Sequence, residues 1–219
     1  MTPKIVIFFL LLCTFSFAQE EKISRLQHFD KSKIRYGFYL GLHQKGYAIE
    51  SNNPVSVGVG SGFQLGVIAD YSLTQNISIF LEPGIMSSSS TLNFGGRSFD
   101  LNTTYFRFPV SLKLTTDRIN NFRVFATGGL SMNYNFNTDE NNNNNGADPY
   151  DFSLKKTNVA AEISMGFNIY LPYFKLTPSL KGIYGVTNEI SNQNIGSVAR
   201  TNAPYFLNSR AIMFSLIFQ

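Results

Sequence analysis

Few side chains in this 219-residue chain could do catalytic chemistry. There are two histidines, His28 and His43, and a single cysteine, Cys13. Nucleophilic catalysis needs a histidine beside a nucleophile and an orienting carboxylate. His43 could serve as the base and a serine from Ser87 to Ser90 as the nucleophile, but no acid–base cluster accompanies them. The preferred reading of His43 is a rim histidine bonded to water or backbone. The run Asn141 to Asn145, followed by Gly146, Asp148 and Pro149, offers the oxygen ligands that calcium takes. Its spacing fits no defined calcium loop, and it reads better as a polar loop tip that buries nothing. The sequence thus predicts no catalytic residue, no cofactor and no metal site.

Five charged residues form a more coherent set: Glu82, Arg107, Lys113, Glu162 and Lys181. Each occupies a strand position opposite an alternating apolar set, so all five should point to one interior. Buried charges must be paired, because an isolated one is costly to desolvate. Glu82 and Glu162 are therefore expected to be countered by Arg107, Lys113 or Lys181. Structural packing of a narrow interior is the preferred role; transport or gating is the alternative.

The elements that would position these residues are strands. From Val159 to Leu171 every second residue is apolar: Val159, Ala161, Ile163, Met165, Phe167, Ile169 and Leu171. The residues between them are small, polar or amphipathic. A period of two over this length predicts a β-strand with one oily face. The run matches the roughly 9–11 residues that a tilted strand needs to cross a bilayer. Similar patterns occur near residues 34–44, 61–73, 77–85, 103–114, 122–136, 174–186 and 207–218, making eight strands. Short connections at 74–76, 115–121 and 171–173 alternate with long ones at 45–60, 87–102, 137–153 and 188–206. That alternation predicts an eight-stranded antiparallel transmembrane β-barrel over residues 34–219, with short periplasmic turns and long extracellular loops. Both termini then face the periplasm. Tyr36, Tyr71, Phe122, Phe174 and Phe218 fall near the periplasmic rim, where amphipathic rings favour the lipid–water boundary. Pro109 and Pro178 each remove a ladder donor, so bulges or bends are expected there. Gly128, Gly129 and Gly182 are expected to mark close approach of packed side chains.

Composition agrees. Charged residues make up 15% of the chain, against about 25% in ordinary soluble domains. Residues 1–18 have one early cation, Lys4, an apolar core from Ile5 to Leu12, and the small-residue close Ser16-Phe17-Ala18. This predicts a secretory signal peptide cut before Gln19. Acylation at Cys13 is the alternative, but it needs a small residue where Leu12 stands. With Cys13 removed, no disulfide is available in an oxidising compartment. Beyond residue 18 no apolar run suffices for a spanning helix, and only a closed barrel satisfies every backbone group in lipid. The formal charge is +4, becoming +3 when Lys4 leaves with the signal. The cations form no basic stripe, which argues against a nucleic-acid partner. Residues 19–33 are charged, with Ile23, Leu26 and Phe29 at roughly helical spacing. They read as a periplasmic N-terminal segment, either a loose lead-in or a short contact element.

Several stretches resemble a known family. Tyr105-Phe106-Arg107-Phe108-Pro109-Val110-Ser111-Leu112-Lys113 is similar to a motif common in small outer-membrane barrels of Bacteroidetes. Tyr39-Leu40-Gly41-Leu42-His43-Gln44, Arg118-Ile119-Asn120-Asn121-Phe122-Arg123, and above all the run Gly166 to Lys181 resemble the PorT/SprT family more narrowly. The resemblance implies a non-enzymatic barrel associated with the type IX secretion system, and with gliding motility in some members. Its implied partners are outer-membrane lipid and other secretion-system proteins, and it carries over no catalytic residue. Gln219 after Phe218 departs from the aromatic ending common in such chains. The alternative function is a stand-alone surface barrel whose loops bind a ligand or protein; a lipid-modifying enzyme or protease is a third, disfavoured by the sparse histidines.

Overall fold

The computed structural model describes residues 29–30, 32–50, 56–94, 97–136, 155–190 and 206–219. The expected signal peptide, most of the N-terminal segment, His28 and the Asn141–Asn145 run lie outside these residues. Among the described residues, alternating apolar and polar side chains build nine strands: β1 (Ile34–Glu50), β2 (Ser56–Ser72), β3 (Ile77–Leu81), β4 (Gly84–Phe94), β5 (Arg97–Thr115), β6 (Phe122–Asn135), β7 (Thr157–Tyr170), β8 (Lys175–Gly185) and β9 (Phe206–Phe218). All pairings are antiparallel, and β1 pairs with both β2 and β9, which closes the sheet into a ring.

The ring has eight staves, because β3 and β4 occupy one. Both pair with β2 in the same register, through Ala69↔Leu81 and Gly66↔Gly84. Both also pair with β5, through Leu81↔Val110 and Gly84↔Arg107. The stave is interrupted at Glu82-Pro83 for a chemical reason. Pro83 and Pro109 meet at this level and neither has an N–H to donate. The carbonyl half of the ladder survives: the Glu82 amide donates to the Pro109 carbonyl at 3.3 Å, and the Val67 amide to the Pro83 carbonyl at 3.0 Å.

The prolines are accommodated differently from the sequence expectation. Register runs unshifted past Pro109 against β6 and past Pro178 against β9. Pairing of β7 with β8 skips from Gly166↔Ser179 to Ile169↔Leu176, again without a shift. Each proline thus costs local ladder bonds rather than an extra residue. The register shift that does occur lies in β2 against β4, between Gly58 and Ser61. Of the glycines singled out above, Gly129 is the tight one. A Cβ there would lie 2.2 Å from the Val110 carbonyl oxygen, whereas Gly128 faces open space and Gly182 only ordinary contact distances.

Two of the long connections are shorter than expected. Strand β1 runs to Glu50 and β2 starts at Ser56, while β4 runs to Phe94 and β5 starts at Arg97. β1 and β2 have 17 residues each and β5 has 19, more than the about 9–11 needed to cross a bilayer. They therefore continue past it as paired extensions. At the opposite end the turns are tight. Ile119 and Phe122 exchange backbone hydrogen bonds of 2.9 Å around Asn120-Asn121. Asn120 has a φ of 53°, a left-handed conformation that asparagine tolerates better than most residues.

Parity sorts the side chains into two environments. Ile163 and Met165 are 61% and 66% exposed, whereas Ala160 and Glu162, of opposite parity on the same strand, are fully enclosed. The same inversion runs round the ring: Leu42, Val67, Leu112, Leu130, Leu180 and Ile212 face outward, while Gln64, Lys113, Ser131 and Lys181 face inward. A protein whose oily residues are outside and whose charges are inside is built for lipid, not water.

Candidate functional site: the charged lumen

The lumen of an eight-stranded barrel is just wide enough for side chains to fill. Here four of the five sequence-predicted residues meet in one layer. Arg107 on β5 ion-pairs through Nη2 with Glu162 on β7. Lys181 on β8 pairs with Glu82, in the break between β3 and β4, and lies 3.3 Å from the second oxygen of Glu162. Two cations face two carboxylates, so the layer is charge-neutral. Every one of these four side chains is buried.

Further hydrogen bonds surround the layer, although Glu162 Oε2 itself accepts none. Arg107 donates Nη1 to Gln64 Oε1 at 3.0 Å and Nε to Asn133 Oδ1 at 3.3 Å. Gln64 donates its amide nitrogen to Ser215 Oγ at 3.1 Å and contacts the Met213 sulfur. The Tyr39 hydroxyl donates to the Glu82 carbonyl at 3.0 Å. The tyrosine fits because Gly66 and Gly84 flank it; a Cβ on Gly84 would stand 2.3 Å from that hydroxyl. The network draws on β1, β2, β5, β6, β7, β8 and β9, and so braces the cylinder across its diameter.

Lys113 does not join that layer. It pairs at 3.1 Å with Asp70 on β2, which also accepts from Arg35 at 3.0 Å. Phe80 and Phe125 place their rings 4.5 and 4.6 Å from the ammonium. Asp70 and Arg35 are lumen residues that the sequence reading missed. The signal was present: Asp70 lies between Ala69 and Tyr71, and Arg35 between Ile34 and Tyr36, each opposite an outward residue. The two are cross-strand partners.

Towards the long-connection end the lumen is polar and less crowded. Lys45 donates to the Tyr105 hydroxyl at 2.9 Å and sits over that ring at 4.2 Å. Asn133 donates to Asn158 at 2.7 Å. A small, partly open cavity is lined there by Lys45, Tyr105, Arg107, Asn133, Asn158 and Ser209, among others. His43 is also inside this half of the lumen. It is a buried lumen residue, not a rim one, because β1 continues past it to Glu50. Neither ring nitrogen has a hydrogen-bond partner, so no serine contacts it as a nucleophile would. The Ser88 hydroxyl is paired with Thr103 at 3.0 Å instead. Among the described residues no group of three or more metal-ligating side chains converges.

The arrangement can brace the wall and present polar ends; among the described residues no nucleophile, base and carboxylate stand together. Comparison with known proteins bears on the scaffold. A family model described as outer membrane protein beta-barrel domain matches residues 17–191. Among solved structures, Neisserial surface protein A is similar at a TM-score of 0.50 and 9% identity, over 85% of this chain and 98% of that one. OprG from Pseudomonas aeruginosa gives a TM-score of 0.46 and 12% identity, over 83% of this chain and 93% of that one. Among curated proteins, none matches. The matched span holds β1 to β8 and all four members of the neutral layer. A closed ring, an oily exterior and this match lead to one assignment: the chain belongs to the outer-membrane protein β-barrel domain family and is an outer-membrane barrel.

Proposed function

We propose that this barrel is a non-enzymatic component or assembly factor of the type IX secretion system, with a link to gliding motility where that system drives it. The supporting observation is the run Gly166 to Lys181, which resembles the PorT/SprT family and forms the end of β7, the turn through Pro172 and the start of β8. A filled lumen fits this role. Folded cargo cannot pass a layer in which Arg107, Glu162, Lys181 and Glu82 are all buried, so the barrel would serve as a partner or builder of the conduit, not the conduit itself. In this reading residues 1–18 are cleaved as a signal, residues 19–33 lie in the periplasm as a contact segment, and both termini are periplasmic. Deleting the gene should block release of secreted cargo; unimpaired secretion in the deletion strain removes the proposal. Protease access to an epitope placed after Gln219 tests the orientation: protection in intact cells is expected.

A second reading rests on the extended hairpins. The extensions of β1, β2 and β5 past bilayer length offer a surface for a ligand or protein. Binding by the isolated barrel that survives loss of the secretion machinery would favour this reading over the first.

A further inference from the structure

The short-connection mouth of the lumen differs in charge balance from the neutral layer above it. A solvent-open depression is lined there by four cations, Arg35, Lys113, Arg123 and Lys175, and by two carboxylates, Asp30 and Asp70. Both carboxylates are already shared. Asp70 takes Arg35 and Lys113 at 3.0 and 3.1 Å. Asp30 takes Arg118 at 3.5 Å, Arg123 at 3.7 Å and the Tyr170 hydroxyl at 2.8 Å.

Lys175 is left over. Its side chain is 2% exposed, and no carboxylate of the described residues forms an ion pair with it. Its ammonium stands 5.5 Å from the Phe29 ring. Arg35 Nε is buried without an acceptor. A buried ammonium without a counter-charge is expensive. Low-dielectric walls around a concave mouth also focus the field of the surplus charge. Four basic side chains against two carboxylates, with donors on a lysine and an arginine left without an acceptor, are the complement of a phosphate oxyanion.

We infer that this mouth is a binding site for a phosphate group, held between Lys175 and Arg35. The inference stands on the lumen geometry alone and is independent of the secretion reading. The test is isothermal titration calorimetry of the full chain in detergent micelles, with inorganic phosphate at pH 8 against chloride at matched ionic strength. Saturable binding of phosphate but not chloride is expected. Lys175→Gln should weaken it at least tenfold, and Lys175→Arg should stay within about threefold of the parent. Should Lys175→Gln fail to give a folded, heat-modifiable barrel, Arg35→Gln takes its place with the same expectation. Heats indistinguishable from chloride, or unchanged phosphate binding in the folded glutamine variant, overturn the site. Glycerol phosphate in a parallel titration assigns the source. Affinity close to that of inorganic phosphate supports a phosphate-bearing molecule, and a large loss supports the free ion.

Discussion

Replacing Glu162 with leucine removes one carboxylate from the neutral layer at little change in side-chain volume. Arg107 loses its ion pair and keeps only the amide oxygens of Gln64 and Asn133. Lys181 keeps Glu82 but loses the second carboxylate at 3.3 Å. The layer passes from neutral to one net positive charge, still enclosed. Breaking one side of a buried pair typically costs about 3–5 kcal/mol. The remaining contacts of Arg107 and Lys181 place this variant at the lower end, about 3 kcal/mol, or roughly two powers of ten in the folded-to-unfolded ratio. Adding Arg107→Met restores neutrality, because Lys181 and Glu82 still match. The double variant should therefore be more stable than Glu162→Leu alone, with a coupling energy of about 2 kcal/mol or more. The assay is reversible urea unfolding in lipid vesicles, read by the mobility shift of the folded barrel, over the four-member mutant cycle. A single-variant loss below about 1 kcal/mol, or costs that simply add, would refute the claim that this layer is an electrostatic unit.

Three further outcomes follow from the same geometry. Ile163→Arg puts a charge on the lipid face, opposite Gly128 and Gly182; it should cost about 2–4 kcal/mol in bilayers, while a barrel indifferent to it would not be spanning lipid at that level. Gly166→Ala should destabilise by about 1–3 kcal/mol through overpacking, since its Cβ would stand 2.4 Å from the Pro178 carbonyl and 2.9 Å from the Phe125 ring; thermal melts of the folded fraction read this, and an unchanged midpoint contradicts the packing. Lys113→Met leaves Asp70 with Arg35 as its one ion-pair partner, and should cost less than Glu162→Leu in the same urea assay because charge remains balanced at that carboxylate; a larger loss would overturn the division of the lumen into two separate networks.

Parity is what made most of this legible. Where a strand sets large apolar residues against small or polar ones, as from Val159 to Leu171, the outward and inward faces can be read directly. Glu82, Arg107, Glu162 and Lys181 are inward by the same rule. Partner choice is not legible, because it depends on how the ring closes. Lys113 and Asp70 sit on β5 and β2, on either side of the β3–β4 stave, and which carboxylate lies level with the lysine is a matter of register across that stave. The hairpin extensions were hidden for a different reason. Ser56 to Gly62 alternates serine, valine and glycine, and Ser87 to Ser90 has no apolar contrast at all. Those stretches are paired strand, but their composition resembles a loop. Alternation alone ends β1 beside His43 and puts it at the rim; six further residues of strand carry the rim past Lys45 and leave the ring enclosed.

The central claim is a closed barrel whose lumen is sealed midway by matched charges. Planar-bilayer recording of the purified full chain tests it most directly. A silent membrane is expected under steady voltage, with current steps emerging only when both Arg107 and Glu162 are cut back to alanine. Stable, porin-sized openings from the unaltered protein would contradict it.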